Sequence, residues 1–397
     1  MKKLFAVCLS LCLAVALFAV PAFAEGEVAQ VEGGAAYSTL QEAINNAAQT
    51  SGKVTLLKDT QENITIPEGK NIELVLDANL TNQSDHTIVV KSGATLTISG
   101  NGTVDNVTHQ RAAIHNEVGG TVILNGGTFS GGINTIKNDD YGVLTIHGGT
   151  FSNTTQAAFL NWNVATVNGG TFSSEQNCIL NGYGDDTMDK GELKITGGTF
   201  TSKEAPIKRM NGEGEGNKDF DNVDVTGGVY SGDVSEVVAE GSSELVKASG
   251  GNRFVVNAST DKPESATTRT EKNGAVVYFE DVNQALNDKV ANDINVVADA
   301  EISVNVPKGV QVTVASGVTL TARGNLSGVT FSDGAKLVVP EGQTATVGGK
   351  VYASGSYEAQ KDGTLSKPET KPEEKPAEPA VPAPAPAKAN PKTGVRA

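Results

Sequence analysis

The sequence predicts an all-β solenoid, built from coils stacked one upon another. Two observations carry this. One short motif recurs five times, beginning at Gly126, Gly148, Gly169, Gly197 and Gly227, so the steps are 22, 21, 28 and 30 residues. The residues before each motif alternate between apolar and polar. A repeat of this length marks one supersecondary unit per period, and alternation marks strands with one buried face.

The motif reads Gly-Gly-Thr-Phe in four copies and Gly227-Gly228-Val229-Tyr230 in the fifth. Two residues before its first Gly stand Leu124, Ile146, Val167, Ile195 and Val225, and four before stand Val122, Leu144, Ala165, Leu193 and Val223. The residues between are mostly polar, so this segment is a strand with the apolar set inward. The Gly pair turns the chain. Phe129, Phe151, Phe172, Phe200 and Tyr230 then fall at one place in each coil. Stacked coils would set these rings above one another in the core, roughly 4.8 Å apart.

A second strand carries Ile114, Ile136, Phe159, Ile179 and Ile207. Two residues on come Asn116, Asn138, Asn161 and Asn181, and Arg209 in the fifth coil. One Asn per coil predicts a ladder of side-chain amides bonded along the stack; the alternative is a residue chosen for its turn propensity. The segment after each Asn lengthens in the last two full coils, Gly182 to Gly191 and Gly212 to Asn222. Insertions of this kind map to one edge of a solenoid.

This arrangement resembles the right-handed parallel β-helix of the pectin-lyase-like superfamily, and most of all the repeat-bearing secreted and surface proteins of Gram-positive bacteria. The resemblance spans residues 36–258. It implies architecture more than activity. Lyases and hydrolases of that superfamily act on acidic glycans with clustered acids, held beside Ca²⁺ and an Arg or Lys in some. The outward strand positions here are Thr145, Thr166, Lys194 and Asp224, then His147, Asn168, Thr196 and Thr226, which make no such cluster.

The acids gather instead in the two long loops: Asp185, Asp186 and Asp189 in one, Asp219 and Asp221 in the other, with Glu213 and Glu215. Oxygen-rich flexible loops suit Ca²⁺, the one cofactor the chain suggests. Solvated acidic loops are the alternative. Arg209 lies just before the second loop and would be the base in an enzymatic version. His86, His109, His115 and His147 are read as strand histidines exposed to solvent, not as metal ligands. Trp162 follows a ladder Asn and is either packing at the turn or a platform for a sugar ring.

The ends bound the setting. Residues 1–24 read as a secretory signal peptide, with Lys2 and Lys3, an apolar run from Leu4 to Val20, and the cleavage-site residues Ala22-Phe23-Ala24. Its removal takes away Cys8 and Cys12 and leaves Cys178, so no internal disulfide can form. It also takes two lysines, moving the formal charge from −15 to −17. That balance argues against nucleic acid as a partner. No other stretch is apolar enough to cross a membrane, and a monomer is expected.

The segment 366–397 is rich in Pro, Ala, Glu and Lys and is expected to be an extended, disordered spacer. It reaches Asn390-Pro391-Lys392-Thr393-Gly394, which resembles the cell-wall sorting motif cut by sortase. By that resemblance Thr393 would be joined to peptidoglycan. A sorting signal continues with an apolar helix and a basic tail, whereas Val395, Arg396 and Ala397 follow here. Truncation of the sequence is the expectation; as written, the chain would be released.

A second module is expected. Ile64-Thr65-Ile66-Pro67-Glu68-Gly69 matches Val304-Asn305-Val306-Pro307-Lys308-Gly309 at an offset of 240. Tyr37 to Asn45 likewise parallels Phe279 to Asn287, each a short amphipathic helix that would cap an open core. The organisation is therefore a β-helix over 25–258, a linker over 259–275, and a short β-helix or flat β-solenoid over 276–365. The functional expectation is a secreted or wall-attached, non-enzymatic surface protein, adhesin-like, binding a glycan or a host polymer. A lyase or hydrolase of acidic glycans is the first alternative and a passive stalk the second.

Overall fold

The computed structural model describes residues 26–182, 190–214, 216–256, 262–288 and 292–368. The chain is a parallel β-helix, nearly all strand. Each coil of the first core contributes to three sheets, of ten, fifteen and seven strands, within which successive coils pair in parallel. The ten-stranded sheet holds the segment before each motif, as in Thr121–Leu124, Val143–Ile146 and Val164–Val167. The seven-stranded sheet holds the second strand, as in Ile114–Asn116, Asn134–Asn138 and Ala157–Asn161.

The third strand of each coil begins at the motif itself: Thr128–Gly131, Thr150–Asn153, Thr171–Ser174 and Thr199–Ser202. The sequence suggested two strands per coil. Four residues with a single large apolar side chain are too few to show alternation.

The Gly pair has two separate jobs. The second Gly of every copy has positive φ: +95° at Gly127, +114° at Gly149, +107° at Gly170, +111° at Gly198 and +108° at Gly228. The first Gly lies against the preceding coil. A Cβ on Gly169 would stand 2.8 Å from the His147 carbonyl oxygen, and one on Gly227 would stand 2.2 Å from that of Thr196. One Gly turns the chain, and the other lets coils approach.

The register then brings Phe129, Phe151, Phe172, Phe200 and Tyr230 into one column. Their centroids are 5.0, 4.6, 4.7 and 4.9 Å apart and their planes within 11°. All five are fully buried. Three coils before the motif region continue the same stack, with Leu80 and Val104 in the column below Phe129.

The helix α1, Leu40–Asn46, closes the first end. It buries Leu40, Ala43 and Ile44 against the core. Thr39 caps it by accepting from the Glu42 amide. Glu62, from the coil beneath, accepts from the amides of Leu40 and Gln41 at 2.8 and 3.0 Å. The helix is thus bonded to the coil it covers.

Past Gly228–Tyr230 the fifteen-stranded sheet continues with a change of direction. Arg253–Val256 and Thr268–Lys272 pair antiparallel to their neighbours. Thr268–Lys272 falls in the stretch expected as a linker, so one sheet runs on from the first core to the second. The second core takes in Val246, Val277 and Phe279 and the helix α2, Val282–Asn287, capped by Asp281. Strands Asp293–Val296, Gln311–Val314 and Val329–Phe331 stack on one side, and Ala300–Ile302, Thr319–Ala322 and Lys336–Val347 on the other. A long hairpin with Lys350–Ala359 ends the stack. Among the described residues no helix is long and apolar enough to cross a membrane.

Candidate functional site

The carboxamides of Asn116, Asn138, Asn161 and Asn181 form a column inside the turn that follows the seven-stranded sheet. Each Nδ2 donates to the next Oδ1, at 2.7, 2.9 and 2.8 Å. All four are fully buried. Each also donates to backbone carbonyls, such as Gly142 O from Asn138 at 3.2 Å. The column ends where Arg209 takes the next place. There Asn181 donates to the Asp219 carbonyl at 2.6 Å.

Asp219 is itself almost fully buried. Its carboxylate accepts from the Asn211 amide at 2.8 Å and from Asn211 Nδ2 at 3.1 Å. It holds the second long loop onto the ladder. Asp221 is exposed. Asp185, Asp186 and Asp189 lie outside the described residues, as does the motif Asn390, Pro391, Lys392, Thr393 and Gly394. Among the described residues no three His, Cys, Asp or Glu side chains are placed to hold a metal ion. Arg209 stacks over the Phe220 ring at 4.1 Å and bridges to Glu236, and to Glu213 at 3.4 Å. Cys178 is buried, and burial pushes its thiol up to about 12.

A constellation the sequence left scattered lies on the outer face of the seven-stranded sheet. His115 and Lys137 share a register position on adjacent coils. His115 Nε2 and Lys137 Nζ each lie 2.9 Å from Asp139 Oδ2. His86, from the coil before, stacks on His115 with centroids 4.3 Å apart. Lys137 Nζ in turn sits 4.1 Å from the centre of the Trp162 ring, and the indole N–H points to Met210 Sδ at 2.8 Å. Trp162 also lies against the outward Ala157, Leu160 and Leu180, which are buried beneath it.

His109 and His147 are exposed as expected, whereas His86 and His115 are not. The His115 side chain is only 13% exposed, because His86 lies across it and Asp139 closes its edge. Offsets within the motif-bearing coils could not show this, since His86 sits in an earlier coil without the motif.

The electrostatics are ordered. Burial alone would raise the Asp139 carboxyl, but hydrogen bonds from His115 and Lys137 hold it down at about 2. Burial, then repulsion from His115, brings His86 down to about 4. His86 is therefore neutral at neutral pH. Its Nδ1 accepts from the Ala112 amide at 3.1 Å, which places the proton on Nε2. The Nδ1 of His115 is buried and makes no hydrogen bond. The other cations of this face are also paired: Lys91 with Glu117 at 2.8 Å, Arg111 with Asp85 at 3.3 Å and Lys208 with Glu204 at 3.2 Å. The face is polar and densely charged, yet largely neutralised within itself.

A second charged group separates the two cores. Arg253 reaches Glu244 at 3.2 Å, Asp288 at 2.9 Å and Asp233 at 3.5 Å. Lys272 pairs with Asp233 and lies 3.7 Å from Asp288. Glu244 has no exposed side-chain surface, and its Oε1 makes no hydrogen bond. Burial raises its carboxyl to about 7 against the pull of Arg253.

No protein-family model matches the chain, and neither a curated protein nor a solved structure matches it.

Proposed function

We propose that this chain is a secreted, wall-associated and non-enzymatic surface protein whose β-helix binds a glycan, adhesin-like, along its side. The observation that carries this is the outer face of the seven-stranded sheet. From His86 through His115, Lys137 and Trp162 it offers hydrogen-bonding and aromatic groups coil by coil along the helix axis. His115 and Lys137 hold one register position on adjacent coils, with His86 and Trp162 packed against them, so the groups run across successive coils as an extended ligand would. Its ion pairs are already formed, so they can donate and accept without demanding a charged partner. The signal peptide, the Pro-rich spacer and the motif Asn390 to Gly394 support delivery to the wall, with sortase and peptidoglycan as partners. Ca²⁺ at the acidic loops is a subsidiary part of this proposal.

One observation favours a second reading. Asp139 lies 2.9 Å from His115 Nε2, a carboxylate–imidazole contact of the kind that orients a histidine for proton transfer. A lyase or hydrolase of acidic glycans could use it. The test is a glycan array with a parallel turnover assay on the secreted chain, with and without Ca²⁺. Binding without turnover is expected. Cleavage of a uronate polymer would make the chain an enzyme, and neither binding nor cleavage would leave a passive stalk.

A further inference from the structure

We infer that Tyr141 is the contact residue of a binding edge for a neutral polysaccharide; this rests on the glycan-binding reading above and gives it a residue and a ligand class.

After the first four strands of the seven-stranded sheet the chain turns through four residues closed by a hydrogen bond. The bonds are Lys70 N to Pro67 O at 3.1 Å, Ala94 N to Lys91 O at 3.0 Å, Gly120 N to Glu117 O at 2.9 Å and Gly142 N to Asp139 O at 2.9 Å. The third residue of each turn has positive φ: Gly69 at +66°, Gly93 at +66°, Gly119 at +76° and Tyr141 at +55°. The same turn recurs in the second core with Gly309, Gly317 and Gly334 at the third place, at +93°, +75° and +75°. This position asks for Gly, since positive φ there crowds a Cβ. Among the described residues the other non-Gly positions with positive φ are Asp85, His109 and Asn273, types that tolerate it. A tyrosine does not belong to that group.

The strain is not offset by burial. Tyr141 is 51% exposed. It is also not isolated. Val118, in the turn of the coil before, is 45% exposed, and Val143, two residues on, is 38% exposed. An apolar strip with one aromatic ring therefore stands on the edge where the turns stack. A ring that gains nothing from the core, held where its neighbours keep Gly, points to a role outside the fold.

The surroundings choose the ligand. Tyr141 shares its turn with Asp139, which is bonded to His115 and Lys137. Trp162 follows Asn161, the ladder residue directly above Asn138, and carries Lys137 over its ring. Asp139 and Lys137 thus satisfy each other, and Asp140, between Asp139 and Tyr141, adds a negative charge that repels a uronate. An exposed ring beside paired polar groups fits a sugar with an apolar face and free hydroxyls, repeated along a chain.

The test is affinity electrophoresis of the secreted chain in gels holding hydroxyethylcellulose, mannan or galactan, with polygalacturonate as the acidic control. Wild type and Tyr141→Phe should be retarded by a neutral polymer. Tyr141→Gly should lose at least tenfold in affinity while its Tm equals or exceeds that of wild type, because Gly is the residue this turn prefers. That pairing separates lost contact from lost folding. Equal retardation of wild type and Tyr141→Gly would overturn the role of Tyr141 and leave glycan binding intact. Retardation by polygalacturonate alone would overturn the ligand class. No retardation in any gel would overturn both this inference and the reading beneath it.

Discussion

The side-chain amide of Asn116 donates to the side-chain carbonyl of Asn138 at 2.7 Å, with neither residue reached by solvent. Asn138 repeats the act toward Asn161 at 2.9 Å. An interior member of such a column is both donor and acceptor. Asn138→Ala strips an acceptor from Asn116 and a donor from Asn161, and it takes a donor from the Val164 carbonyl and one from the Gly142 carbonyl, which keeps Asn163. Unsatisfied buried groups cost about 1–3 kcal/mol each, so a loss of about 2–4 kcal/mol is expected. Chemical denaturation measures it. A loss below that of an exposed Asn→Ala control would show that the column does not stabilise the stack.

Phe172 lies between Phe151 and Phe200, with centroids at 4.6 and 4.7 Å, and touches Phe159 at a tilt. Phe172→Ala would leave a cavity closed on every side by other coils, at a cost of about 3–5 kcal/mol. Phe172→Leu should recover part of this. Tyr230→Phe tests the end of the same column. It loses only the bond from the hydroxyl to the Gly227 carbonyl at 2.8 Å, so its denaturation midpoint should fall by much less.

Helix α1 is held by Glu62 at two backbone amides and by Thr39 at one. Glu62→Ala frees both amides at the helix start and cuts the tie to the coil below. It should destabilise more than Thr39→Ala, whose cap is worth about 1 kcal/mol. Hydrogen exchange at Leu40 and Gln41 is the direct readout. Unchanged protection in Glu62→Ala would refute the tie.

What could be read in advance was whatever sits at a fixed offset from the Gly-Gly motif. The Phe column, the strand before it and the asparagine column all keep one register through the motif-bearing coils, and periodicity alone locates them. The third strand was hidden, because Thr150–Asn153 shows one apolar residue and no alternation. The His86–His115 contact was hidden for a different reason: no motif aligns the coil of His86 with that of His115. Thr268–Lys272 alternates buried and exposed residues but is polar throughout, so its strand character comes from pairing with Ala275–Phe279. Tyr141 was invisible until backbone angles showed which place in the turn it fills.

Glu244 and His86 should give the stability of this protein two pH slopes of opposite sign. The Glu244 carboxyl is raised from 4.5 to about 7 by burial, so the fold prefers it protonated. Arg253, Asp233, Lys272, Asp288 and Tyr230 surround it. Its contribution is complete below pH 4.5 and is lost as pH rises toward 7. At about 1.4 kcal/mol per unit that loss is of the order of 3 kcal/mol. His86 is lowered from 6.5 to about 4, so the fold prefers it neutral. Its contribution is complete above pH 6.5 and is lost as pH falls toward 4. The two oppose each other between pH 4.5 and 6.5. Glu244→Gln should therefore expose a stability that climbs with pH across that window. His86→Asn, which keeps an acceptor for the Ala112 amide, should expose one that declines. Urea denaturation from pH 4 to 8 resolves both, and a double variant should be the flattest of the set. If Glu244→Gln leaves the wild-type profile unchanged, the carboxyl between the two cores is not the group that titrates.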